Sequence, residues 1–149
     1  MPDIVIREMN ENDAEQVFNI EKAAFGRPWT REALLASAMR EDTVFIVAKT
    51  GGEIAGYACA YVSFDEAELV RIATAADKRR QGLGETVLLE MEKAAKERGA
   101  DVIILEVRQS NEAARRMYEK NGYENIGIRK NFYDFPKEDA VIMRKEGRC

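Results

Sequence analysis

The sequence predicts one α/β domain, a mixed β-sheet with helices on its faces. Three observations carry that expectation. The length of 149 residues suits a single domain spanning 1–149. No internal repeat or linker divides it, and the three prolines (Pro2, Pro28, Pro136) do not mark a boundary. Apolar runs of strand length alternate with longer amphipathic stretches, giving the order β-α-α-β-β-β-α-β-α-β-β. Near the middle, Val102 to Val107 is a short, nearly continuous apolar run between two helical patterns, the character of a strand buried on both faces.

Each element has its own local signal. Ile4 and Ile6 alternate with polar residues, which reads as a first strand. Asn10 to Asn12 offer caps for a helix with Ala14, Val17, Phe18 and Ala24 at helical spacing, and Gly26-Arg27-Pro28-Trp29 ends it. Thr30 can cap a second helix through Met39. Thr43 to Lys49 is β-branched and apolar, and Gly51-Gly52 turns it into Ile54 to Phe64 as a hairpin. Asp65-Glu66 marks the next turn, and Ala67 to Thr74 reads as a further strand. Gly84 to Arg98 places Val87, Leu88, Met91, Ala94 and Ala95 on one helical face, with Gly99 as its stop. Asn111 caps a helix running to Asn121-Gly122, and Tyr123 to Arg129 and Ala140 to Arg144 complete the sheet.

Composition excludes more than it selects. At this length about 70% of the unfolded chain's surface can be buried, so no disulfide or metal is needed for a core. Lys+Arg is 23 and Asp+Glu is 27, a net charge of −4, which argues against nucleic-acid binding through bulk charge. There is no histidine, which removes Ser-His and Cys-His nucleophilic chemistry and every histidine-containing zinc site. Two cysteines, Cys59 and Cys149, cannot form a four-cysteine site, so no metal is expected; Cys59 in an apolar run reads as a small buried residue. The cysteine usage fits a reducing cytoplasm. Met1 to Asn10 alternates and carries acids, unlike a signal peptide, and no apolar run approaches the ~20 residues of a membrane span.

The sharpest local motif is Arg79-Arg80-Gln81-Gly82-Leu83-Gly84, between a strand and a helix. Two glycines allow close backbone approach, and the following helix presents unpaired N–H groups with a partial positive charge. Lys78, Arg79 and Arg80 add cations, and the whole suits a pyrophosphate. It is not a P-loop, because Gly84 is followed by Glu85-Thr86; it is not a Rossmann fingerprint, because position 87 is Val and several strands precede it. Taken alone, the segment is equally a glycine-bearing turn with solvated charges.

The motif fits Arg/Gln-x-x-Gly-x-Gly/Ala and resembles the acetyl-CoA loop of the GNAT superfamily of N-acetyltransferases, whose element order this chain also resembles throughout. Leu105-Glu106-Val107-Arg108, Ser110-Asn111, Met117-Tyr118-Glu119 and Gly122-Tyr123 resemble the superfamily's second half. Pro28-Trp29-Thr30, Arg129 to Tyr133 and Glu138 to Met143 are similar to the branch that acetylates the N-terminal alanine of a small-subunit ribosomal protein. Two departures bear on the cofactor: Ala76 stands where that branch carries a proline, and Glu85 puts an acid near the phosphates.

The resemblance implies acetyl-CoA as cosubstrate and assigns roles. The α-amine of a peptide has a pKa of about 7.7–8.0, so the base has a modest task that a carboxylate can perform. Glu106, a lone acid ending an apolar strand, takes the position of that base; its other reading is a surface acid. Tyr118 takes that of the acid that protonates the departing thiolate; its other reading is a packing ring. Ile72, Ala73 and Thr74 would offer backbone groups to the pantetheine arm and thioester carbonyl, and Arg79, Arg80, Gln81, Gly82, Leu83, Gly84 and Glu85 would form the pyrophosphate loop. Asn111 would cap its helix and contact the cofactor, and Arg27 and Tyr133 would line the substrate entrance.

Acids at Asp65, Glu66 and Glu68 and at Asp134, Glu138 and Asp139 lead to an expected preference for basic, ribosomal N-terminal segments if they line the groove; a solvated rim is the other reading. Two further functions stay open from sequence: acetylation of a small amine, and a non-catalytic coenzyme-A-binding module. The presence of both Glu106 and Tyr118 argues against the module.

Overall fold

The computed structural model describes residues 3–78, 82–134 and 136–146. The strands are β1 (Ile4–Glu8), β2 (Thr43–Thr50), β3 (Glu53–Ser63), β4 (Glu66–Thr74), β5 (Val102–Arg108), β6 (Glu124–Tyr133) and β7 (Glu138–Glu146). The helices are α1 (Ala14–Ala24), α2 (Arg31–Ala38), α3 (Leu83–Glu97) and α4 (Glu112–Lys120), with short 3-10 turns at Glu11–Asp13 and Ala76–Lys78. The element order matches the expected one apart from those two turns.

The strands form one seven-stranded sheet in the order β1-β2-β3-β4-β5-β7-β6. Every neighbouring pair is antiparallel except β4 and β5. Alternation in β2 and β3 sends side chains into two cores. Val44, Ile46, Ala58 and Ala60 pack with Val87, Leu88 and Met91 of α3. Phe45, Val47, Tyr57 and Cys59 pack with Val17 and Ile20 of α1 and Leu34 of α2. Both faces of these strands are therefore covered, which is why their sequences are apolar almost without interruption.

Caps set the helix starts. Asn10 accepts from Asn12 N and Asp13 reaches back to Asn10 N at 2.9 Å, so this box closes the short turn that leads into α1. Thr30 Oγ1 accepts from Ala33 N at 3.0 Å to begin α2. Gly82 precedes α3 at φ +76°, a backbone conformation that favours glycine.

Two features of the sheet make the site. β4 and β5 pair only from Glu66↔Val102 to Leu69↔Leu105, after which they splay. On the other side of β4, Ala60 pairs with Leu69 but Cys59 pairs with Arg71, so Val70 is the extra residue of a β-bulge. β5 also departs from the expected double burial. Ile103, Leu105 and Val107 are buried, whereas Val102, Ile104, Glu106 and Arg108 are only half-buried. Of that less covered face, Glu106 and Arg108 lie beyond the last rung with β4.

Candidate active site

The splay opens a cleft of about 890 Å³. One end is bounded by Gly82, Gly84 and Glu85 of the α3 start and Asn111 and Met117 of the α4 side; the other by the α1–α2 loop and Tyr133–Asp134. Ile72, Ala73 and Thr74 line its β4 wall, and Glu106 and Tyr118 line it from β5 and α4.

The end at the start of α3 has features that an amide-bearing arm with a pyrophosphate would need. Ile72, Ala73 and Thr74 bond to β3 on one side and have no strand partner on the β5 side, so backbone polar groups on that edge face the cleft. A Cβ on Gly84 would lie 3.7 Å from Met117 Sδ and 3.9 Å from Thr74 Cγ2, filling the space between β4 and α4 that a bound group would use. The first N–H groups of α3 have no intrahelical acceptor and sit at the same end. Leu83 itself is buried in the α3 core. Arg79, Arg80 and Gln81 lie outside the described residues.

Glu85 is not an isolated acid at this end. It accepts from Asn121 Nδ2 at 3.0 Å and pairs with Lys120 Nζ at 3.2 Å. The Asn121 hydrogen bond and then Lys120 hold its carboxyl below the ordinary range. Asn111 Oδ1 accepts from Ala114 N at 3.2 Å, so its capping role is present, and the residue also lines the cleft.

Glu106 follows Leu105, the last residue of β5 paired to β4, and its side chain is only 15% exposed. Burial pushes its carboxyl above the ordinary range; Arg129 opposes the shift and Glu68 adds to it. Arg129 Nε stands 3.1 Å from Glu106 Oε2, close enough for an ion pair but without hydrogen-bond alignment, and Oε2 is buried with no hydrogen-bond partner among the described residues. The carboxylate is therefore poorly solvated, the condition of a reactive base.

Tyr118 is buried on α4, its ring edge-to-face with Tyr123 at 5.5 Å between centroids. Burial first, then Tyr133, raises its hydroxyl pKa, which keeps the group protonated and makes it a weaker acid than a free tyrosine. The packed ring is present, and the residue also lines the cleft. Tyr133 is pushed up to about 12, by burial first and then by the charge of Glu106. The Arg108 guanidinium lies 4.5 Å from its ring centroid. Arg27 pairs with Asp134 at 3.6 Å, tying the α1–α2 loop to the β6–β7 turn at the entrance.

The two acidic groups differ in availability. Glu138 accepts from Arg108 and from Ser110 N, and Asp139 accepts from Asn131 N at 2.8 Å, so both hold the local fold. Asp65, Glu66 and Glu68 stay exposed at the start of β4; of the six acids expected along the groove only Asp134 lines the cleft, because the others lie at the far end of β4 or are turned to hold the β6–β7 turn.

Sequence reasoning missed a second charged centre. Glu21 on α1 is fully buried. It accepts from Tyr57 Oη, from Trp29 N at 2.8 Å and from Arg71 Nε at 3.0 Å. Glu21 was detectable, because it stands on the apolar stripe of Ala14, Val17 and Phe18. Arg71 was not, since strict alternation from Leu69 would place it on the α3 face, and only the bulge at Val70 turns it to α1.

Residues 14–123 match the family described as "Acetyltransferase (GNAT) family", and the chain belongs to that family. It is 36% identical over 140 residues to the ribosomal protein bS18-alanine N-acetyltransferase of Escherichia coli strain K12, covering 93% of this chain and 94% of the relative. The crystal structure of the ribosomal-protein-S18-alanine N-acetyltransferase from Escherichia coli superposes with a TM-score of 0.91 at 32% identity, covering 99% of this chain and 96% of that one. The PaiA N-acetyltransferase from Thermoplasma acidophilum, solved in complex with coenzyme A, shares the fold at a TM-score of 0.80 and 22% identity, covering 97% of this chain and 99% of that one. The expected α/β mixed sheet with the GNAT element order is the observed one, and the protein is an acetyltransferase.

Proposed function

We propose that this protein transfers an acetyl group from acetyl-CoA to the α-amine of a protein N-terminus, the N-terminal alanine of a small-subunit ribosomal protein, in the cytoplasm. The observation that carries the reading is the sheet splay: a poorly solvated carboxylate and a protonated tyrosine line one cleft, beside unpaired β4 backbone and a helix start. The similarity to the bS18-alanine enzyme, over nearly the full length of both chains, supports the substrate class.

Acetyl-CoA, when bound, supplies an activated thioester carbonyl. Ile72 to Thr74 would hold its arm through backbone groups, and the start of α3 with residues 79–85 would hold its pyrophosphate. The neutral form of the substrate α-amine attacks the carbonyl, and Glu106 takes the proton its nitrogen sheds as the carbon–nitrogen bond forms, directly or through water. Backbone N–H groups on the free edge of β4 stabilise the developing oxyanion. Tyr118 donates its proton to the sulfur as the carbon–sulfur bond breaks. The amide nitrogen ends one proton poorer, the thiol one richer, and solvent restores both side chains. No step needs a metal-bound group, so none is part of the reading.

The test is thiol release from acetyl-CoA with peptides starting Ala, Ser, Met or Gly, and with free lysine and spermidine beside them. Turnover on Ala-starting peptides, crippled in Glu106→Gln and Tyr118→Phe, is the expected result. Turnover only on the small amines would overturn the N-terminal reading. Equal turnover on peptides with acidic and with basic following residues would remove the basic preference.

A further inference from the structure

Arg71 stands where the cleft meets the α1–α2 loop. Its Nε is held by Glu21 at 3.0 Å, and Phe25 and Trp29 flank the guanidinium at 4.5 and 4.6 Å from their ring centroids. Nη1 reaches Val70 O and Nη2 reaches Arg27 O, both at 3.4 Å. Of the five N–H donors an arginine carries, two have no acceptor among the described residues. The side chain is 21% exposed and lines the cleft.

The chemistry of a ligand for these donors follows from charge and position. Arg71 and Glu21 together carry no net charge, so what they offer is directed N–H dipoles rather than a field for a full carboxylate. Two aromatic faces fix the guanidinium plane, and the donors are pre-organised. Along the strands, Arg71 and Glu106 lie two and one residues beyond the last β4–β5 rung, Leu69↔Leu105. That rung sets the start of the gap at one strand spacing, about 4.8 Å. An amine at Glu106 would bring the atoms next along its chain to the mouth that Arg71 lines. In a peptide, the first acceptor after the α-amine is the carbonyl oxygen of the first peptide bond.

We infer that Arg71 is a specificity-determining residue whose free N–H groups bind the first peptide carbonyl of the substrate, so that the site distinguishes a peptide N-terminus from a simple amine. The inference rests on the N-terminal reading above. The bulge at Val70 is what aims Arg71 at this subsite, a use of bulges that recurs next to active sites.

Trp29 is the only tryptophan of the chain and stacks on Arg71, so its fluorescence reports occupancy directly. The experiment titrates the protein, saturated with coenzyme A, with alaninamide and with isopropylamine, which keeps the amine and methyl but lacks the carbonyl. The variants are Arg71→Met and the double change Glu21→Gln with Arg71→Met, which leaves no buried carboxylate unpaired. The parent is expected to bind alaninamide about ten-fold more tightly than isopropylamine, the strength of one hydrogen bond from a charged donor. The double variant should bind both within about two-fold while its affinity for coenzyme A is unchanged. A parent without the preference, or a double variant that keeps it, overturns the assignment. Peptide turnover is followed separately. A parent that acetylates peptides but shows no carbonyl preference loses Arg71 and keeps the N-terminal reading; one that selects alaninamide through Arg71 but acetylates no peptide does the reverse.

Discussion

Replacing Arg129 by Gln should move the ionisation of Glu106 without abolishing catalysis. Arg129 Nε is 3.1 Å from Glu106 Oε2, but the arginine side chain is 59% exposed. Solvent screens such a pair, and its worth is about 0.5–1 kcal/mol rather than the value of a buried bridge. At 1.36 kcal/mol per pKa unit, that is a shift of about 0.4–0.7 unit. The sign is upward, because the cation favours the carboxylate and burial already opposes it. The assay is kcat/KM against pH with an Ala-starting peptide. Below the Glu106 pKa two protons must be lost, one from Glu106 and one from the α-amine, and the logarithmic slope is 2. Above it the slope is 1 until the amine titrates at about 7.7–8.0. Arg129→Gln should raise the break between slopes 2 and 1 by the stated amount and leave the upper break in place. Glu106→Gln should remove the lower break, with a fall in rate of about 10²–10⁴. A lower break that persists in Glu106→Gln, or one that moves down in Arg129→Gln, would refute Glu106 as the base.

Tyr118→Phe keeps the ring packed on Tyr123 and removes only the donor; kcat should fall about 10²-fold or more while the melting temperature changes little, measured by thiol release and thermal unfolding. Glu85→Gln frees Lys120 at the cofactor end, and calorimetric titration at low salt should show coenzyme A binding several-fold tighter, with the gain fading as salt rises. Gly56→Ala would place a Cβ 3.1 Å from Ala73 O and 3.3 Å from Thr74 Cγ2, pushing the β4 wall outward. The KM for acetyl-CoA should rise with stability lowered by about 1–3 kcal/mol in urea unfolding; an unchanged KM would show that the wall does not hold the arm. Because the folded pKa of Glu106 is raised, the stability this group contributes is present at low pH and lost as pH rises through that pKa. Glu106→Gln should accordingly unfold no more easily than the parent at pH 8, with its relative advantage vanishing near pH 4; a loss at pH 8 would mean that the carboxylate is structurally satisfied.

The strands and helices were legible because periodicity reports burial, and burial follows from which faces the sheet covers. Thr43 to Lys49 and Ile54 to Phe64 announced themselves through continuous apolar runs that α1, α2 and α3 then explain. Boundaries moved by a residue at Phe64, which leaves the strand at φ 55° as the tip of a turn, 95% exposed, and by more in the last hairpin, where β6 runs on past Arg129 to Tyr133 and β7 spans Glu138–Glu146. Glu106 and Tyr118 are singled out only through resemblance, since a strand-end acid and an amphipathic tyrosine have ordinary structural uses; what the structure adds is that both line one cleft. The splay of β4 from β5 was invisible, because nothing in Val102 to Val107 says that its neighbour departs after Leu69. The bulge was invisible for the same reason, and with it the direction of Arg71.

Glu21 and Glu106 show how one fold separates structure from chemistry. Glu21 is the more deeply buried, yet it accepts from a tyrosine hydroxyl, a backbone N–H and a guanidinium. Those donors replace the water it lost, and breaking that set would leave an uncompensated charge. Glu106 is less buried but has one misaligned, largely exposed cation and an oxygen with no hydrogen bond among the described residues. Its desolvation is not repaid, and the balance favours taking up a proton. The difference follows from the sheet. Glu21 faces β3 and β4 where they stay paired and can supply partners. Glu106 faces the gap where β4 has turned away. The departure that creates the cleft therefore also leaves its carboxylate short of donors, so the geometry that opens the cleft is the same geometry that raises the proton affinity of Glu106.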